Sequence, residues 1–377
     1  VSDTIVQIKS AALQKGFDIA GIASVDPLHG DDQHYREWLE SGFAAGMGYM
    51  SHRRDLFAKP RLLVTYAHSL ISLAVNYYSK LPEFQHESRY GRVARYAWGR
   101  DYHHVVKTRL EQLVSAIEQI AGRALRARCF VDAVPLLERA AAARAGLGFF
   151  GKNTNLLRPQ GGSWFFLSEI LIDLELPPDL HASRVSCGTC QRCLDACPTD
   201  AFAEPYVLDS NRCISYLTIE NKDEIPRPLR AGLGEWLFGC DVCQDVCPFN
   251  RFSSQTRWPE LEPEAGAGQR LAIADLLRIS SDEEFRARFR GTPLLRPKRK
   301  GLLRNAAVVA ANIGCVEAVP ALVERVEQDP EPLIRSHALW ALERLDSKAG
   351  MSYANKLREH DPNQVVREEA RAVLEGR

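Results

Sequence analysis

The sequence predicts an α/β domain, then a ferredoxin-like segment for two iron–sulfur clusters, then an all-α run of HEAT-like repeats. Three observations predict it. Eight of the ten cysteines fall in two runs. Apolar strands alternate with helical patterns ahead of those runs. Behind them, a segment that opens apolar-apolar-Arg recurs at a spacing of 31 to 32 residues. The chain has 377 residues, 25% of them charged, and a formal net charge of zero. That is room for about two or three domains, and no global field draws it to nucleic acid.

Helices and strands alternate through residues 1–182. Ile5 to Lys15 has a helical stripe of Ile5, Ile8, Ala12 and Leu13. Asp18 to Ala23 reads as a short strand, and Gln33 to Glu40 as a helix. Ser69 to Tyr77 is an apolar, β-branched run expected as a buried strand. Tyr102 to Ala121 is a helix with Val105, Leu110, Leu113 and Ile117 apolar. Ala127 to Val131 is a strand that ends at Asp132, Leu136 to Ala145 an alanine-rich helix, and Trp164 to Leu174 a further strand.

Residues 183–255 carry the cysteines. Cys187, Cys190, Cys193 and Cys197 are followed at once by Pro198, the C-x2-C-x2-C-x3-C-P run of two-cluster ferredoxins. Cys213, Cys240, Cys243 and Cys247, followed by Pro248, form the second set. In such runs the fourth cysteine ligates the other cluster. Cluster one therefore takes Cys187, Cys190, Cys193 and Cys247, and cluster two takes Cys197, Cys213, Cys240 and Cys243. Zinc is the other reading, but its sites use paired C-x2-C units without a third close cysteine. A disulfide framework belongs to short secreted chains. Cys129 and Cys315 are isolated and expected in the core.

Residues 256–300 read as a basic connector and 301–377 as repeats. LLRNAAVVAA, LIRSHALWAL and VVREEARAVL superpose, aligning Arg304, Arg335 and Arg367 with one another, and likewise Ala307, Ala338 and Ala370. Asp329-Pro330 and Asp361-Pro362 open the second and third units. An ordinary helical bundle is the alternative. Arg296, Lys298, Arg299, Lys300 and Arg304 make a basic run suited to phosphate contacts, or to a solvated linker. No stretch reaches the ~20 apolar residues that span a bilayer, and no export pattern opens the chain. A cytoplasmic protein is expected, with no membrane partner.

There is no G-x-G-x-x-G turn, no G-x-x-x-x-G-K-[ST] loop and no C-x-x-C-H. The residues do carry a resemblance. RYAWGRDYHHVV from Arg95, FVDAVPLLERAAAARAGLGFFGKNTNLL from Phe130, SEIL from Ser168, both cysteine runs with CISYLTIE from Cys213, and PLLRPKRKGLLRNAAVVAAN near the tail resemble the epoxyqueuosine reductase family. The resemblance runs in order over almost the whole chain. It implies a cobalamin-binding α/β domain, two 4Fe–4S clusters and HEAT-like repeats. It implies reduction of the epoxide of epoxyqueuosine, at the tRNA wobble position, to queuosine with loss of water. The family is related to reductive dehalogenases.

On that resemblance, Asp132 in its VDxxPLxER context is the expected proton donor. Burial at the strand end would keep its proton, whereas a helix N-cap is the plain alternative. Arg139 is expected to pair with Asp132 or with a substrate or corrin oxygen, and His103 to be an active-site group or a hydrogen-bonder at a helix start. Asp101, Tyr102, Asp132, Lys152, Asn153, Ser215 and Thr218 are expected to contact cobalamin, bound base-off without a protein histidine on cobalt. The glycines from Gly146 to Gly151 would let backbone approach the corrin. The five basic residues above would hold tRNA, and Tyr206 or Trp236 could stack on bases. The implied protein is a monomer served by a flavodoxin- or ferredoxin-like electron donor. A cobalamin-dependent reductive dehalogenase acting on a small substrate, and an electron-transfer scaffold without corrin, remain alternatives.

Overall fold

The structure, a computed structural model, describes residues 2–80, 87–179 and 185–376. The expected boundary between residues 182 and 183 lies outside them. The chain forms two compact units. Unit 1 takes Val1–Lys80, Gly99–Ser210 and Val242–Glu262, and unit 2 takes Leu81–Trp98, Asn211–Asp241 and Pro263–Arg377. This division cuts across the consecutive one expected, because the cysteine-rich segment contributes to both units.

The main strands are β1 (Ile19–Ser24), β2 (Ser69–Asn76), β3 (Tyr90–Val93), β4 (Ala127–Phe130), β5 (Phe165–Ile172), β6 (Trp236–Phe238) and β7 (Arg270–Ala272). Unit 1 is built on a four-stranded sheet of order β1-β2-β5-β4, antiparallel throughout. β2 is buried at every position except its last, which explains why its apolar residues do not alternate with exposed ones as in a half-exposed strand. In the register, Glu169 of β5 stands opposite Ser72 of β2 on one side and Phe130, the last residue of β4, on the other. That places an acid in mid-sheet and starts the loop after β4 beside it.

The main helices of unit 1 are α1 (Ser2–Gln14), α2 (His29–Glu40), α3 (Tyr102–Ala121) and α4 (Glu138–Arg144). The Asp101 side chain caps α3, accepting from the His103 N–H, and Gly122, at φ +66°, ends it. Its buried stripe is Tyr102, Val106, Leu110, Leu113 and Ile117, the spacing of one helix face. α4 buries Ala140, Ala141 and Ala142. Alanines let a helix lie close on a sheet: Ala141 and Ala142 pack with Ala23, Leu70, Ala74, Phe130 and Leu171, and Ala140 with Leu28 and Ala58.

Unit 2 joins a small sheet of order β6-β3-β7 to helices. These are α5 (Ile214–Ile219), then α6 (Lys298–Asn312), α7 (Val319–Gln328), α8 (Pro332–Leu345), α9 (Ser347–His360) and α10 (Gln364–Leu374). The expected connector is folded: Leu271, Ile273, Leu276, Leu277, Ile279, Phe285 and Phe289 are all buried. In the repeats, Arg335 forms a two-pronged ion pair with Asp361 at 2.8 and 2.9 Å and donates to the Asp329 carbonyl. Arg367 makes the same move on the Asp361 carbonyl at 2.7 Å.

Two residues of the basic run depart from their expected role. Arg299 is buried and ion-paired with Asp329. Arg304, 0% exposed, donates to the carbonyls of Leu217, Asn221 and Asp223 at 2.6 to 3.0 Å. Neither can reach a phosphate, because each side chain is consumed in tying α6 to its surroundings. Asn305 adds bonds to the Thr218 and Leu237 carbonyls, both at 2.8 Å. Thr218 is buried too, its hydroxyl donating to the Ile214 carbonyl and accepting from the Gly239 N–H, so it has nothing left for a cofactor. Trp236 is buried, which removes it as a base-stacking group, whereas Tyr206 is exposed.

Removing the Arg304 guanidinium would leave buried carbonyls unpaired. Arg304→Ala is expected to destabilise unit 2 by about 3–5 kcal/mol. Denaturant unfolding followed by circular dichroism checks this; a change under about 1 kcal/mol would mean that surrounding water replaces the bonds.

Candidate functional site

The cysteine geometry of unit 1 follows from short turns. Cys190 N–H bonds back to the Cys187 carbonyl, a short helix covers Arg192–Asp195, and Cys197 N–H bonds to Leu194. Cys193 and Cys247 are pushed above the ordinary thiol range, Cys193 to about 11, by burial first and then by neighbouring thiols, Cys187 among them for both. Cys187 and Cys247 act on Cys193, and Cys187 and Cys190 on Cys247, so these thiols share one region of unit 1. All ten cysteines are free of disulfides. Backbone N–H groups point at two sulfurs, Lys152 at Cys187 (3.4 Å) and Ala201 at Cys197 (3.3 Å). Such donors suit the sulfurs of a cluster. Among the described residues no group of three or more His, Cys, Asp or Glu side chains is placed to hold a metal ion. In unit 2, Cys213 is the residue before α5 and Cys240 follows β6 closely. Cys315 is buried and Cys129 half-buried, as core residues would be.

Asp132 occupies the loop between β4 and α4. Its backbone is left-handed, φ +50°, a conformation that costs a non-glycine residue energy and marks functional turns. Its carboxylate Oδ2 accepts the Tyr102 O–H at 2.7 Å, and His103 Nε2 stands 4.0 Å away. The His103 Nδ1 is held by Asp101 at 2.7 Å. Burial works to raise the Asp101 carboxyl, but the His103 contacts outweigh it and hold it below the usual range. The Tyr102 ring is sandwiched between Phe166 and His103, with centroids 4.1 Å away on both sides. Asp101, Tyr102, His103 and Asp132 are therefore brought together.

Two readings of Asp132 fail here. The Asp132 side chain is 62% exposed, so burial does not protect its proton, and α4 begins at Glu138 with Leu137 before it, so Asp132 is no helix cap. Arg139 is not paired with Asp132; its guanidinium donates to the carbonyl of Thr154, another left-handed residue at φ +64°. Lys152 and Asn153 serve the cysteine loops: Lys152 Nζ donates to Gly188 O at 2.8 Å, and Asn153 Nδ2 to Cys243 O at 3.2 Å. The glycines nearby are packing residues. A Cβ on Gly148 would meet the Leu157 carbonyl at 2.4 Å, and one on Gly151 would meet Leu157 Cδ1 at 2.6 Å. Ser215 is half-buried, and its carbonyl accepts from Thr218.

Beneath Asp132 lies a pair that sequence reasoning missed. Glu138 Oε1 accepts the Asp132 N–H at 2.9 Å. Glu169 is 0% exposed, and its Oε1 faces the Ser72 hydroxyl at 3.5 Å. Its Oε2 has no donor to accept from. A lone buried carboxylate is costly, so this group keeps its proton and donates it to the carboxyl within reach, Glu138. Burial pushes Glu138 up to about 8, with the charge of Asp132 adding to it. Glu169 is raised well above the usual range, by burial and then by Glu138. The signal was an acid inside the apolar strand FFLSEILI; it was legible but went unread.

Similarities to known proteins agree with this layout. Residues 58–133 match the family described as epoxyqueuosine reductase QueG, 186–250 a 4Fe–4S double cluster binding domain, and 293–375 HEAT repeats. An epoxyqueuosine reductase of Xanthomonas campestris pv. campestris is 40% identical over 347 residues, 90% of this chain and 96% of its own. That of Pseudomonas aeruginosa is 40% identical, covering 89% and 93%. An epoxyqueuosine reductase crystallised with an epoxyqueuosine-modified tRNA-Tyr stem loop superposes with a TM-score of 0.92 at 30% identity, over 99% of this chain and 98% of that one. A Bacillus subtilis epoxyqueuosine reductase, with its catalytic aspartate loop swung out of the active site, gives 0.90 at 29% identity, over 99% of both chains.

The raised carboxyls have a consequence for stability. Glutamates ionise near ~4.3 when unfolded but hold their protons longer in this fold. Their contribution is full below that value and is lost as pH rises through about 8 for Glu138. Glu169→Gln, which cannot ionise, is expected to be more stable than the parent protein at pH 8.5 and close to it at pH 5. Unfolding midpoints at the two pH values measure the gap, and an equal gap at both would contradict the assignment.

Proposed function

Because this chain belongs to the epoxyqueuosine reductase family, we propose that it reduces the epoxide of epoxyqueuosine at the tRNA wobble position to queuosine. The observation that carries the reading is the exposed Asp132 carboxylate, fixed by Tyr102 O–H at 2.7 Å, in a unit that also contains Cys187, Cys190, Cys193 and Cys247. Cluster one is assigned to Cys187, Cys190, Cys193 and Cys247, and cluster two to Cys197, Cys213, Cys240 and Cys243. Asp101, Tyr102, His103 and Asp132 form the polar face that would hold cobalamin, bound base-off, beside the exposed acid. When bound, the clusters and cobalamin would supply the two electrons that the reduction needs.

The protein's own part is protonation. Turning an epoxide into an alkene takes two electrons and two protons and releases water. Asp132 protonates the opening oxygen. Tyr102 holds the carboxyl at Oδ2, and the ring of His103, anchored by Asp101, borders the same oxygen. Splaying the wobble base out of its loop brings the epoxide to this face.

Of the basic run, Arg296 and Lys298 are exposed and Lys300 is half-buried, and these three are assigned to tRNA phosphates. Arg296 is also paired with Glu220 at 2.7 Å, which phosphate would have to displace. The protein is assigned to the cytoplasm as a monomer reduced by a flavodoxin- or ferredoxin-like donor. No helix among the described residues is long and apolar enough to cross a membrane.

Two outcomes test this. After anaerobic reconstitution with iron, sulfide and cobalamin, the parent protein is expected to remove one oxygen mass from epoxyqueuosine in tRNA, and Asp132→Asn to slow turnover by about 100-fold or more. Retained corrin with unchanged tRNA would overturn the tRNA substrate. Lys298→Ala with Lys300→Ala is expected to lower the log–log salt slope of tRNA binding by about 1–2, with turnover at saturating tRNA intact. An unchanged slope would place the tRNA elsewhere.

A further inference from the structure

We infer that Glu138 and Glu169 are positioning residues for Asp132, a carboxyl pair rooted in the central sheet that holds the acid in its left-handed turn. The inference rests on Asp132 being the proton donor.

The geometry runs outward from the sheet. Glu169 lies in β5 between Ser72 and Phe130, so its backbone is fixed by strands on both sides. Its buried carboxyl faces the Ser72 hydroxyl and reaches Glu138. Glu138, first residue of α4, takes the Asp132 N–H at 2.9 Å. That bond fixes the backbone of a residue whose φ of +50° is unfavourable unless something holds it. With the turn held, the carboxylate meets Tyr102 O–H at 2.7 Å.

Electrostatics give the pair a second effect. Glu138 is faced by Asp132, Arg139 and Glu169; Glu169 by Glu138, Ser72 and Asp132; and Asp132 by Tyr102 and His103. Adjacent carboxyls raise one another's hold on protons and titrate together. Burial first, and then the charge of Asp132, raises Glu138 to about 8, so the pair itself holds protons into the alkaline range.

The test uses the reconstituted holoenzyme and tRNA carrying epoxyqueuosine, with kcat and KM measured from pH 6 to 9. Glu138→Ala removes both the acceptor and the charge. It is expected to lower kcat about tenfold or more, with the KM for tRNA within about twofold. Glu138→Gln keeps an acceptor oxygen for the Asp132 N–H. It is expected to recover most of that kcat across the profile, because the amide oxygen still accepts the Asp132 N–H. Glu169→Gln should likewise recover most of what Glu169→Ala loses. If Glu138→Ala fails to fold, the Glu169 variants decide: a parent-like kcat in Glu169→Ala, or no recovery in Glu169→Gln, would overturn the inference. A parent-like kcat in Glu138→Ala, or no recovery in Glu138→Gln, would overturn it as well. Asp132→Asn, measured alongside, separates the two readings. If it stays active, the acid assignment fails; if it is inactive while the Glu138 variants behave as the parent, only the positioning role fails.

Discussion

A carboxyl group buried in the middle of a sheet, with no cation against it, dictates how the site of unit 1 is built. Glu169 can exist there only by keeping its proton, and a protonated carboxyl needs an acceptor. Glu138 supplies one, which is why α4 must start where it does. Glu138 in turn has an oxygen to offer the Asp132 N–H, and that bond sets the turn. Each step outward exchanges a buried electrostatic cost for geometric definition, until the last group in the series is exposed and able to act.

Unit 2 shows the same economy with cations. Its repeats place arginines at matched positions, yet these residues do different work. Arg335 and Arg367 tie helices to the Asp-Pro steps between repeats. Arg304, first of the series, has no preceding step of that kind and turns to three carbonyls around α5. A guanidinium has enough donors, in a rigid fork, to satisfy several buried carbonyls at once. Lysine could not replace it there.

Much of this was legible in the sequence, and the limits have physical reasons. Cysteine spacing is set by ligand geometry, so the cluster segment could be read directly. β2, α3 and β5 announced themselves by apolar period, and their bounds fell within a few residues of those expected. Asp132 was identified from the motif around it, but its exposure was not, because exposure depends on how a loop sits and not on its letters. Arg299 and Arg304 looked like a phosphate-binding run because charge is visible in sequence and burial is not. Glu138 and Glu169 lie 31 positions apart, and only the strand register makes them neighbours. The glycines from Gly146 to Gly151 suggested ligand approach, but at Gly148 and Gly151 Leu157 occupies the space.

The segment from Lys152 to Thr154 touches two kinds of chemistry. Its N–H lies against the Cys187 sulfur, and its carbonyl at Thr154 holds Arg139, the neighbour of Glu138. A hydrogen bond to a cysteine sulfur is one of the quantities that set a cluster's reduction potential. Strain introduced on the proton side can therefore be felt on the electron side, through a stretch of backbone three residues long. An electron paramagnetic signal from the first cluster would then act as a reporter on a loop that has no chromophore of its own.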